Sequence, residues 1–262
     1  MRMVAIVFAL LVSFTSVEAQ AVSNESHDWY FKRSNDHAPA TTEPEFLEML
    51  TKSGGYFIGN TDQRELYLTF DNGYENGYTS DILDILKQEE VPAAFFVTGH
   101  YLTDQPDLVK RMVKEGHIVG NHSWSHPDMT AISDDRIREE LQKVKEEYTR
   151  LTGDKSMQYL RPPRGVFSER SLATSREEGY RNIFWSLAYK DWETNNQKGS
   201  KYAYDSIMKQ VHPGAIMLLH TVSKDNAEAL QKVLRDLKKD GYQFKSLDEL
   251  VFTRTLPRPL AP

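Results

Sequence analysis

A chain of 262 residues, 39% hydrophobic and 27% charged, holds enough apolar material for one large core, which favours a single α/β domain over several small ones. Its formal net charge of −6 excludes the basic surface that tracks a nucleic-acid backbone, so no nucleic-acid partner is expected. With no cysteine there are no disulfides, thiol nucleophiles or thiolate ligands, which leaves His, Asp, Glu and Asn to hold any metal.

The first predicted element is an export segment. Met1-Arg2-Met3 supplies a short positive start, residues 4–17 are almost wholly apolar, and Val17-Glu18-Ala19 offers small residues before a cut. This predicts a signal peptide over residues 1–19 and a secreted, extracytoplasmic protein, because the apolar run is short for a span of about 20 residues. Nothing else in the sequence suits a bilayer, and a monomer is expected. Residues 20–62 read as an N-terminal extension packing on the domain. It carries the cluster Trp29-Tyr30-Phe31-Lys32-Arg33 and a short helix at 45–50, ended by Gly54-Gly55.

The domain proper is expected over residues 63–254, where strands alternate with amphipathic helices. A strand at 65–70 leads to a helix at 79–89 with Ile82, Leu83, Ile85 and Leu86 on one face, then a strand at 92–97. A helix at 107–114, stopped by Gly116, precedes a strand at 117–120. The clearest helix is 134–151: Ser133 is its N-cap, Ile137, Leu141, Val144, Tyr148 and Leu151 recur at spacings of three and four, and Gly153 stops it. Strand and helix follow at 158–160 and 169–178, at 182–185 and 201–210, and at 215–219 and 226–239. A last pair lies at 243–244 and 247–251, before a loose tail at 255–262. Such alternation predicts a parallel sheet flanked by helices, and about seven or eight such units predict a barrel. No Gly-x-Gly-x-x-Gly follows the first strand, which argues against a nucleotide site.

Polar residues gather where successive strands end: Asp71 and Asn72, His122 and His126, Arg161 and Arg164, Asp191, and His220. In a parallel barrel these positions share the C-terminal mouth, where catalytic groups belong. His122 and His126 are four apart, so on a helical turn both rings face one cation; two capping histidines beside Pro127 are the plainer alternative. A carboxylate at Asp71 near a metal-bound water makes a general base, although Asp71-Asn72-Gly73 also reads as a turn. His220 closes the apolar run 215–219, where it is placed to protonate a leaving amine, with Asp191 as the carboxylate that raises its pKa.

Five ordered motifs, Thr-Phe-Asp-Asn-Gly-Tyr (69–74), His-Ser-Trp-Ser-His (122–126), Arg-Pro-Pro-Arg-Gly (161–165), Asp191-Trp192 and Leu218-Leu219-His220, make the chain resemble the NodB-homology polysaccharide deacetylases, carbohydrate esterase family 4. Within that family it resembles the branch acting on N-acetylmuramic acid in spore-cortex peptidoglycan. It implies a distorted (β/α) barrel of the NodB type in one domain, and a divalent cation, zinc or similar, held by His122, His126 and Asn72. It further implies Asp71 as general base, His220 as general acid, Arg161 orienting Asp71, Asp191 tuning His220, and Trp192, Leu218 and Tyr74 on the substrate side. A backbone N–H near Arg164 would join the metal in stabilising the oxyanion.

Two positions depart from the common family pattern: Asn72 stands where most members have Asp, and Arg164 where they have an aromatic residue. A neutral amide oxygen is a weaker ligand than a carboxylate, so the cation is expected to bind weakly. A guanidinium at the rim suits the lactyl carboxylate of N-acetylmuramic acid. The expected reaction is N-deacetylation of peptidoglycan glycan strands, leaving the amine from which muramic δ-lactam forms. Deacetylation of N-acetylglucosamine polymers, O-acetyl xylan esterase activity and non-catalytic glycan binding remain as alternatives.

Overall fold

The computed structural model describes residues 22–33 and 36–255; the expected signal peptide and nearly all of the expected tail lie outside the described residues. The extension contributes β1 (His27–Asp28) and α1 (Pro44–Ser53). Pro44 opens α1, where its missing N–H is no loss, and Gly54 closes it at φ 69°. The domain then runs β2 (Glu65–Asn72), α2 (Thr79–Gln88), β3 (Ala93–Val97), α3 (Gly99–Asp104), α4 (Pro106–Lys114) and β4 (Ile118–Asn121). Next come α5 (Asp134–Thr152), β5 (Tyr159–Leu160), β6 (Val166–Phe167), α6 (Glu169–Glu177), β7 (Arg181–Asn182) and β8 (Leu187–Ala188). The chain finishes with α7 (Ser200–Met208), β9 (Ala215–His220), α8 (Lys224–Lys239), β10 (Gln243–Phe244) and α9 (Leu247–Thr255).

Eight strands form one parallel sheet in the order β7-β5-β4-β3-β2-β9-β8, with β10 pairing the start of β2. Among the described residues the sheet curls but does not close by pairing its outer strands. The predicted strand at 182–185 is therefore divided: Arg181 and Asn182 pair with β5, whereas Leu187 and Ala188 pair with β9 at the opposite edge. Residues 183–186 carry the chain across this seam, where Ile183 bridges Tyr56 and the Ser186 N–H reaches Ile216 O. A second bridge, Ile58 to Ala215, draws the end of the extension into the same gap. The result is the expected barrel, distorted at one seam.

Alternation along each strand sorts the core into two parts. Leu66, Leu68 and Phe70 of β2 join Phe95, Met217 and Leu219 under the helices, while Tyr67, Ala94, Phe96, Tyr159 and Ile216 fill the barrel. The long helix α5 follows its sequence signals: the Ser133 hydroxyl accepts the Arg136 N–H, Asp134 and Asp135 occupy the first turn, and Gly153 ends it at φ 76°. Helix α3, six residues long, is too short to leave a readable period in the sequence. The two-stranded ribbon of β1 and β6 is equally hidden, since each strand has two residues and they lie far apart in the chain. Removing the α5 cap with Ser133→Ala should lower the free energy of unfolding by about 1 kcal/mol, read from the urea midpoint.

Candidate active site

The floor of the mouth is built on Arg161. This side chain is fully buried; its Nη1 donates to Asp71 Oδ1 at 2.8 Å, its Nη2 to Thr69 Oγ1 at 2.8 Å and its Nε to Ile183 O at 3.0 Å. The guanidinium lies over the Phe96 ring, 4.3 Å from its centroid, with Trp185 beyond at 5.6 Å. Thr69 and Asp71 share the barrel face of β2, so one planar cation reaches both. Burial alone would raise the Asp71 pKa, but Arg161, followed by His122 and His220, outweighs it and holds the carboxyl below its ordinary range.

The two histidines sit in a loop after β4, not on the helical turn their spacing suggested. Ser123 and His126 take left-handed backbone conformations, φ 63° and 57°, and these fold the loop so that the rings meet edge to face with centroids 4.8 Å apart. Helix α5 anchors the loop through buried Glu140, which accepts the Ser125 N–H and hydroxyl at 2.6 and 2.7 Å and the Arg136 guanidinium at 2.6 Å. Gly99 makes room for it: a Cβ there would fall 2.3 Å from Trp124 Cδ2.

His122 Nδ1 lies 2.8 Å from Arg161 O, an oxygen that can only accept, so Nδ1 carries the proton. Burial lowers the His122 pKa despite the nearby Asp71, so Nε2 presents a lone pair, 3.5 Å from Asp71 Oδ2. His126 is likewise kept neutral, its pKa lowered to about 4 by burial and then by His122. The two neutral imidazoles are nitrogen donors that suit a divalent cation.

Asn72 is placed apart from this group. Alternation turns it to the face opposite Asp71, its Nδ2 donates to Thr221 Oγ1 at 2.8 Å, and its buried Oδ1 has no hydrogen-bond partner. Among the described residues, no three or more His, Asp or Glu side chains are grouped to hold a metal.

Across the mouth, His220 Nδ1 lies 2.7 Å from Asp191 Oδ1, and the His220 backbone N–H donates to Asp191 Oδ2 at 2.8 Å. Asn226 Nδ2 donates to the same Oδ2 at 2.5 Å, while its own oxygen accepts from the Tyr189 hydroxyl. Burial would lower the His220 pKa; the Asp191 carboxylate overrides it and the net shift is upward, toward imidazolium. With Nδ1 committed to Asp191, Nε2 is the nitrogen left for the cavity.

Asp71, His122, His126 and His220 line a cavity of about 790 Å³ together with Tyr74, Trp124, Arg164, Trp185, Trp192 and Leu218. Tyr74 and Trp192 are roughly half exposed at the rim, Trp192 standing 5.5 Å from the His220 ring, and Leu218 is buried in the wall. Arg164 is exposed and makes no hydrogen bond or ion pair among the described residues. The neighbouring Gly165 N–H is taken by Pro162 O at 3.0 Å. The site thus draws together every predicted residue except Asn72. The sequence reading quoted Thr69 in a motif without giving it a role, and it missed Glu140 and Asn226, which hold other residues and carry no spacing of their own, and Trp185, which reaches the cavity only because the chain crosses the seam beneath it.

The polysaccharide deacetylase domain family matches residues 58–183. The chain is 53% identical over 251 residues to the peptidoglycan-N-acetylmuramic acid deacetylase PdaA of Bacillus subtilis, covering 96% of this chain and 95% of that protein. It is 59% identical over 250 residues to a 30.6 kDa protein of Geobacillus stearothermophilus, covering 95% and 94% of the two. The solved structure of Bacillus subtilis PdaA, described as a family 4 carbohydrate esterase, superposes with a TM-score of 0.87 at 55% identity, covering 89% of this chain and 100% of that one. The chain belongs to the polysaccharide deacetylases of carbohydrate esterase family 4.

Proposed function

We propose that the chain hydrolyses the N-acetyl group of N-acetylmuramic acid in peptidoglycan glycan strands, releasing acetate and a free amine. The observation that carries the muramyl assignment is Arg164: an exposed guanidinium with no hydrogen bond or ion pair among the described residues, on the rim of the cavity that holds Asp71 and His220. N-acetylmuramic acid differs from N-acetylglucosamine by a lactyl group that ends in a carboxylate, and a guanidinium meets a carboxylate with two parallel hydrogen bonds. The name of the Bacillus subtilis relative supports the same substrate. The amine left behind is the nucleophile needed for muramic δ-lactam, and the motif resemblance to the spore-cortex branch supports a role there. The N-terminal sequence pattern supports export to that side of the membrane.

Asp71, held anionic by Arg161, takes a proton from the attacking water, whose oxygen adds to the acetamide carbonyl carbon. His220, protonated through its contact with Asp191, gives the Nε2 proton to the departing nitrogen as the C–N bond breaks. Leu218, Trp185 and Trp124 exclude water around the acetyl group, and Tyr74 and Trp192 offer faces for the sugar rings. His122 and His126 would hold a divalent cation as two neutral nitrogen donors, and a set without an anionic third ligand favours weak binding. When bound, such a cation polarises the carbonyl and eases deprotonation of water.

Asp71→Asn and His220→Ala should each lower kcat for acetate release by about 10²- to 10⁴-fold; full activity in both variants would sink the mechanism. Arg164→Ala should raise KM about 10- to 100-fold on glycan strands stripped of stem peptide, measured by mass spectrometry of the muropeptides. Better turnover of chitin oligomers than of such strands by the unaltered protein would favour the N-acetylglucosamine reading. Because Asp191 raises the His220 pKa, the protonated acid is present below that pKa and lost as pH rises through it. Asp191→Asn removes the largest effect opposing burial, so the alkaline limb of the kcat–pH profile should move to lower pH.

A further inference from the structure

We infer that residues 23–33 of the N-terminal extension are a positioning strap for the catalytic mouth, and that Trp29 is the pin that holds the Arg164 turn in place. The inference rests on the reading of Arg164 as the residue that binds the lactyl carboxylate.

The strap touches three catalytic loops. Asn24 Nδ2 donates to Thr130 O at 3.0 Å in the loop that follows His126, and Asn24 Oδ1 accepts from the Ser168 hydroxyl at 2.9 Å. His27 and Asp28 pair antiparallel with Phe167 and Val166, directly after the Arg161–Gly165 motif. Arg33 Nη2 donates to Ala188 O at 3.0 Å, three residues before Asp191.

The tightest of these attachments centres on Arg164. Its backbone is left-handed, φ 59° and ψ 2°, a conformation that a residue with a side chain keeps only where its neighbours enforce it. On one side the turn is closed by Gly165 N–H to Pro162 O. On the other, Gly165 O accepts the Trp29 backbone N–H at 2.9 Å. Gly165 itself, at φ +73°, has no room for a side chain: a Cβ would lie 2.7 Å from Trp185 Cη2 and 3.0 Å from Trp29 Cβ.

The Trp29 indole ties the opposite wall as well. Its Nε1 donates to Trp185 O at 2.9 Å, and Trp185 both lines the cavity and lies over the Arg161 guanidinium. Trp29 is nearly buried, 4.6 Å from the Phe184 ring, and does not line the cavity. It therefore acts through Arg164 and Trp185 and is a positioning residue. A purely structural aromatic at this place would affect stability and treat all substrates alike. A pin for Arg164 affects the recognition of the carboxylate.

The test compares steady-state kinetics on two substrates: stripped glycan strands with free lactyl carboxylates, and the same strands with those carboxylates converted to methyl amides. Trp29→Phe keeps an aromatic ring and the backbone N–H to Gly165 O while removing the Nε1 donor to Trp185 O and the smaller ring of the indole, so it remains informative if Trp29→Ala does not fold. With Trp29→Phe, KM on the carboxylate strands should rise about 10-fold at nearly constant kcat. The rise should be absent on the amidated strands, and absent when Arg164→Ala is already present. An unchanged KM, an equal rise on both substrates, or full additivity with Arg164→Ala overturns the strap while leaving Arg164 as the carboxylate ligand. If Arg164→Ala itself does not raise KM on the carboxylate strands, the substrate reading falls, and the strap's role in recognition falls with it.

Discussion

The buried ion pair between Arg161 and Asp71 is the interaction on which the rest of the mouth depends. Arg161 spends three of its donors on Asp71, Thr69 and Ile183 O, and gives its backbone carbonyl to His122. One residue thereby sets the charge of Asp71, braces the chain at the seam of the barrel and fixes the tautomer of the first histidine. A guanidinium taken out of water is costly, and leaving either partner of such a pair alone typically costs about 3–5 kcal/mol. The arrangement is tolerated because the cation is met on all sides, by the carboxylate, by oxygens and by the face of Phe96.

The environments of Asp71 and His220 push their protonation in opposite directions, as acid–base chemistry at one pH requires. Asp71 is lowered by the cation below it and His220 is raised by Asp191, in both cases against the effect of burial. Asp191 can oppose burial because it is itself fixed by the His220 backbone N–H and by Asn226. His122 and His126 show the reverse outcome: for them burial prevails, and they stay neutral with lone pairs available. Four titratable side chains in one cavity thus have different tasks, decided by which partner each one has.

The seam joins the fold to the specificity of the site. Where a regular barrel would pair its outer strands, the chain crosses between the sheet edges at residues 183–186, and the extension fills the gap through Tyr56 and Ile58. The crossing brings Trp185 into the cavity wall and Phe184 against Trp29, so the extension packs on the part of the domain that carries the Arg164 turn. An N-terminal segment that looks like simple packing in the sequence is structurally continuous with the mouth.

The sequence by itself determined the alternation of strand and helix, the cap and stop of α5, and the polar residues at successive strand ends. Each of these is local, written in hydrophobic period, cap chemistry and position within a motif. It also yielded Asp71, Arg161, Asp191 and His220, because a parallel barrel brings strand ends to one place whatever the details of its loops. It misread the helical turn for His122 and His126, since two left-handed residues bend the loop in a way that their spacing does not reveal. Only the tertiary structure decided that Asn72 turns away from the histidines, because facing follows from strand alternation and from Thr221, which is 149 residues away in sequence. The same holds for Glu140, Asn226 and Trp29: they act by holding other residues across long sequence separations, and a contact of that kind exists only once the chain has folded.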